Sequence, residues 1–227
     1  FGMNAKLGRD AQLAGDLRRK PTGGNVLYFE TKDAGALFRF TDSYARMNGG
    51  LLWVALDAPT SNTSPQEGLL GISDFIIRGE PALDRVVSGA PNSANRDGVK
   101  FNRMRAEFTR MPGRLEIRDG VVQGNIGATI DGQIDYLGDE VHLRGSFVPL
   151  YQLNNMLGQL PIVGLFLGGG NEGLLGVTYE VVGPPNAPRL NVNPLSAVAP
   201  GILRKMFEFR NQQNDRNFET LRLAPPP

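Results

Sequence analysis

The sequence predicts a mainly β fold with a few short helices (α+β), organised as a twisted antiparallel meander sheet. Three observations predict it. Apolar and polar residues alternate with period two through much of the second half. The 29 glycines and 16 prolines of the 227 residues are scattered, not clustered, as in a chain with many turns. Finally, the alternating segments follow one another across short turn signals, which favours hairpin-connected neighbours.

In chain order, strands are expected near 3–7, 12–19 and 25–31. "DAGALFRFTDSY" (33–44) reads as a short helix capped by Asp33, with Ala36, Leu37 and Phe40 on one side. "LLWVAL" (51–56) and "GLLGISDFII" (68–77) read as strands. "PALDRVV" (81–87) reads as a helix with Pro81 in its first turn. The small, polar stretches 57–68 and 88–98 are expected to be mobile loops.

The meander is clearest from 103 onward. Met104, Ala106 and Phe108 alternate with Arg103, Arg105, Glu107 and Thr109, and Leu115 and Ile117 continue the pattern to an expected turn at Asp119-Gly120. From Asn125 to Tyr136 one face carries Ile126, Ala128, Ile130, Gly132, Ile134 and Tyr136, and the other Asn125, Gly127, Thr129, Asp131, Gln133 and Asp135. That is a strand with one apolar and one wet face. After a turn at "YLGDE" (136–140), Val141, Leu143, Gly145 and Phe147 alternate with His142, Arg144 and Ser146. Residues 151–157 look helical, 174–183 and 189–193 look like strands, and 194–209 looks like a helix with Val198, Ile202, Leu203 and Met206 on one stripe. Residues 1–209 are expected to form one domain, with 210–227 a disordered, proline-ended tail.

Composition excludes several functions. The formal charge is +1, with 24 basic and 23 acidic residues, so nothing points to nucleic acid. With no cysteine and one histidine, disulfides, thiolate zinc sites and cysteine nucleophiles are out. The most apolar run is "LPIVGLFLGGGNEGLLG" (160–176), whose unbroken part, Leu160 to Leu167, falls far short of the roughly 20 residues a spanning helix needs. The chain opens on Phe1 with no signal-like segment, so it is expected to be a piece of a longer protein.

Catalytic patterns are weak. Gly168 to Gly173 matches G-x-G-x-x-G, but a β-type run follows where the dinucleotide fingerprint needs a helix, and no acid lies near 190–195. The glycines read as a chain reversal instead. His142 lies on the polar side of its strand with no partner visible in sequence. Asp131 and Asp135 share a strand face roughly 13 Å apart, beyond the roughly 5–9.5 Å of glycosidase carboxylates. Ser73 in "GISDF" is not a nucleophile elbow. Arg103, Arg105 and Arg110 read as a basic strip on a solvated face, with lipid headgroups or a partner as the minority reading.

The segments "VPLYQLNNML", "LPIVGLFLGGGNEGLLG" and "VNPLSAVAPGILRKMF" resemble the C-terminal region of the bacterial AsmA-like envelope proteins, which are similar to bridge-like lipid-transfer proteins. "TKDAGALFRFTDSYARMNGGLLWV", "LLGISDFII" and "FNRMRAEFTRMPGRLEIRDG" fit the same pattern, so the resemblance spans nearly the whole chain before the tail. It implies a periplasmic part of a protein anchored in the inner membrane by an N-terminal segment outside this sequence. It also implies a curved, open β-groove, phospholipid acyl chains as cargo and traffic toward the outer membrane; with one histidine, no cysteine and a glycine motif in the wrong context, no metal, cofactor or enzymatic activity is expected. The family supplies no catalytic residues to carry over.

The residues expected to meet lipid are Ile126, Ile130, Ile134, Leu143 and Phe147 on the sheet. Leu160, Ile162, Val163, Leu165, Phe166 and Leu167 are expected as an apolar lip at one end, with Gly168–Gly170 reversing the chain. The competing expectation is a structural or assembly module that contacts outer-membrane proteins or other envelope components, its apolar face sealed by helices 33–44, 151–157 and 194–209. A hydrolase assembled across strands is the third.

Overall fold

The computed structural model describes residues 2–8, 11–20, 23–81, 83–84, 97–148 and 175–197. They form one open, eleven-stranded sheet in which spatial order is chain order, and every neighbouring pair is antiparallel. The strands are β1 (Gly2–Leu7), β2 (Ala11–Arg19), β3 (Asn25–Thr31), β4 (Met47–Asp57), β5 (Gln66–Ile77), β6 (Val99–Met111), β7 (Arg114–Gly124), β8 (Gly127–Asp135), β9 (Glu140–Val148), β10 (Leu175–Gly183) and β11 (Arg189–Ala197). The mainly β meander expected from the alternation is therefore the observed fold, and it does not close into a barrel.

One helix, α1 (Ala34–Phe40), interrupts the meander between β3 and β4. The Asp33 side chain caps it, accepting the Ala36 N–H at 2.9 Å. Arg39 in the last turn donates to the Met47 carbonyl at 2.7 Å, and Gly35 has no Cβ to obstruct that close approach. Leu37 and Phe38 pack against the core, whereas Phe40, expected on the packed side, is exposed. Beyond β5, Pro81, Leu83 and Asp84 are helical, with the Asp84 N–H donating to the Glu80 carbonyl. The rest of the expected 81–87 helix, most of loop 88–98, the helix at 151–157, the 160–170 run, and residues 198–227 lie outside the described residues.

Two expectations are corrected. Asp119-Gly120 is a bulge inside β7, not a turn: Asp119 is left-handed, with φ 49°, and the register to β8 shifts between Ile117 and Gly120. An aspartate tolerates that conformation, and its N–H is satisfied by the Asp131 carboxylate at 3.0 Å. The true reversal is Pro112-Gly113, where Gly113 supplies φ +73°. Residues 194–197, expected to begin a helix, continue β11 instead. Pro194 is tolerated because β11 is an outer strand of the described sheet and its register to β10 is irregular there.

Aromatic rings lie over glycines directly opposite them on the next strand: Phe29 over Gly15, Trp53 over Gly71, Phe108 over Gly68, and Tyr179 over Gly145. A side chain at any of these glycines would overlap the ring. The pairing restores packing where a glycine leaves a gap in the sheet.

Candidate functional site

The register places one apolar face across the whole sheet. Met3, Gly15, Phe29, Val54, Leu70 and Ala106 form one row from β1 to β6. Leu52, Ile72, Met104, Val122, Ala128 and Phe147 form a second from β4 to β9. Phe108, Ile117, Gly132, Leu143, Val181 and Leu190 form a third from β6 to β11. At 4.7–4.9 Å between neighbouring strands, eleven strands span roughly 48 Å.

Burial divides this face. Phe75, Val99, Phe101, Ile126, Ala128, Phe147 and Tyr179 are buried in the core cluster. Phe75 stacks on Phe101 with centroids 5.0 Å apart, and Phe147 on Tyr179 at 4.2 Å. By contrast Phe29, Val54, Leu70, Met104, Ile117, Ile130, Ile134, Leu143, Val181 and Leu190 are only half-buried. Of the sheet residues expected to meet lipid, Ile130, Ile134 and Leu143 thus lie in the half-buried band, while Ile126 and Phe147 belong to the packed cluster. Leu160, Ile162, Val163, Leu165, Phe166 and Leu167 lie outside the described residues. The sequence reading missed the band's continuation through Phe29, Val54, Leu70, Met104, Val181 and Leu190. Alternation in each strand was the available signal, but only the cross-strand register shows that their faces coincide.

Tyr179 anchors the band to its floor. Its hydroxyl donates to the Thr129 carbonyl at 2.6 Å, reaching over Gly145 to the strand beyond. Burial, helped by the nearby Asp131 charge, pushes its pKa well above the usual phenol range, so it stays a neutral donor.

The opposite face carries Tyr28, Ala55 and Leu69 on β3 to β5, and is largely polar from β7 to β10. A concavity of ≈ 540 Å³ lies between β7 and β10, lined largely by Glu116, Arg118, Asp131, Gln133, His142, Arg144 and Glu180. Arg144 is in register with Asp131 on β8 and Glu180 on β10, so charges of opposite sign alternate across three strands. Such cross-strand neighbours contribute about 0.2–1 kcal/mol each to a solvated face. His142 is exposed and lies 3.4 Å from Glu140. The expected basic strip is split: Arg103 and Arg105 share the polar face, whereas Arg110, of opposite parity, is in register with Gln66 and donates to it at 2.6 Å.

Among the described residues no group of three or more His, Cys, Asp or Glu is placed to hold a metal ion, and no helix is long and apolar enough to cross a membrane. Comparison with family models, curated proteins and solved structures finds no match.

Proposed function

We propose that this chain is a non-enzymatic, periplasmic module of an AsmA-like envelope protein, and that its apolar sheet face carries phospholipid acyl chains between the inner and outer membranes. The observation that carries the reading is the set of half-buried apolar side chains that share one face from β1 to β11, in overlapping cross-strand rows beside the buried cluster. An ordinary core would bury these side chains as fully as Phe75 or Phe101. Apolar surface left half-open along a row of strands fits a flexible hydrocarbon chain, which needs area and no polar hot spot. Each methylene removed from water contributes about 0.8 kcal/mol, so a chain of a dozen or so carbons suffices for binding.

The buried part of the same face favours a second reading, a structural or assembly module that contacts envelope proteins. Native mass spectrometry with lipid extraction separates the two. The carriage reading expects phospholipid on the parent protein and its loss from Ile130→Asp and Leu143→Asp variants. Circular dichroism must show those variants folded, because a charge placed in a packed region also costs stability. A parent protein without lipid, or folded variants carrying as much as the parent, leaves the assembly reading in its place.

A further inference from the structure

Four large hydrophobic side chains are exposed among the described residues, and two of them are consecutive: Tyr136 at 56% and Leu137 at 85% exposure. They form the tip of the β8–β9 turn, a position that ordinarily takes small polar residues. The tip is firmly held. The Asp135 carboxylate accepts the N–H groups of Leu137 at 3.0 Å and Gly138 at 2.8 Å, and Arg114 bonds the same carboxylate at 3.2 Å. The Tyr136 N–H donates to the Gly113 carbonyl of the adjacent β6–β7 turn at 2.8 Å. The Leu137 side chain lies over Gly113, where any Cβ would overlap it. The second turn adds exposed Pro112 beside the pair.

We infer that this doubled turn is a membrane-contact site, at which Leu137 and Tyr136 enter the boundary between headgroups and acyl chains of a phospholipid surface. The size of the patch selects a lipid surface over a protein. A stable protein interface buries roughly 800 Å² on each partner, far more than two protruding side chains supply. A bilayer accepts single side chains, and a tyrosine, apolar in body and polar at its tip, suits the headgroup level. The surrounding charge decides which force drives the contact. Arg114 is paired with Asp135, Arg110 donates to Gln66, and Asp139 and Glu140 follow the tip. With no basic excess among the described residues around the tip, insertion of apolar side chains drives binding, and attraction to anionic headgroups does not. The inference goes beyond lipid carriage: it concerns where the chain touches a bilayer, not what its apolar face holds.

Sedimentation of the full chain with phosphatidylcholine vesicles tests it. The parent protein should co-sediment, and a Tyr136→Ser/Leu137→Ser double variant should bind at least roughly tenfold more weakly, the loss expected for apolar side chains of this size. Binding should change little with added salt or with phosphatidylglycerol in the vesicles, since salt screens charge and leaves apolar insertion intact. Both residues are exposed, so the variant keeps its fold, which circular dichroism verifies. In a Leu137→Trp variant, indole emission should shift to the blue on adding vesicles. A parent that stays in the supernatant, a double variant that sediments like the parent, or binding abolished by salt would overturn the inference. Lipid held on the apolar face is read separately by solvent extraction, so either reading can fail without the other.

Discussion

Tyr179 joins three strands through one side chain. Its ring stacks on Phe147 of β9, crosses Gly145, and reaches the Thr129 carbonyl of β8. Tyr179→Phe keeps the ring and removes the donor, so it should lower unfolding free energy by about 1–2 kcal/mol in urea titrations. Gly145→Val should cost at least about 3 kcal/mol, because a side chain there overlaps both the ring and the Thr129 carbonyl. Burial raises the pKa of Tyr179, and of Tyr44 too, so their contribution to stability is complete below the ordinary phenol value of about 10 and is lost as pH rises above it. Denaturation midpoints measured from pH 8 to 11 should fall on the alkaline side, and less steeply in Tyr179→Phe. An unchanged slope in that variant would contradict the assignment. None of this was visible in sequence. Tyr179 and Gly145 each look unremarkable in their own strands, and only the pairing of β9 with β10 brings them together.

The turn and bulge chemistry shows what can be read at the scale of elements. The "YLGDE" reversal was legible, and its mechanism is the Asp135 carboxylate bonding two successive N–H groups. Those bonds, with Gly138 first and Arg114 second, hold Asp135 below the usual carboxylate range. Its contribution is therefore present above the ordinary value of about 3.9 and lost as pH falls. Asp135→Asn should be less stable than the parent at pH 7, and the gap should narrow as pH falls below about 3.9; a gap that stays constant through acid titration would show that charge is not involved. Asp119-Gly120 was misread because a turn and a bulge draw on the same residue chemistry, a left-handed aspartate beside a glycine. Asp119→Gly should be tolerated, whereas Asp119→Val should cost about 1–2 kcal/mol for the left-handed backbone alone. Equal stabilities in thermal melts would refute the bulge. The expected helix at 194–209 failed at its start for a related reason: a proline that suits a helical first turn also suits an outer strand.

Across the whole molecule, alternation within each strand made the sheet and its two faces legible, and short turns made the order legible. The alignment of eleven apolar faces into one band was not, because bulges such as that at Asp119 change which parity faces inward. Beyond that bulge Gly120 and Val122, of even number, share the face that Leu115 and Ile117 hold before it. The central claim is that acyl chains lie on this band and not on the polar side. The most direct measurement places a photo-crosslinking amino acid at Val181 or at Glu180, neighbours on β10 that point to opposite faces. After illumination in cells, the protein labelled at 181 should carry covalently attached phospholipid, and the protein labelled at 180 should carry none. Attachment at 180 as strong as at 181, or at neither position, would contradict the account.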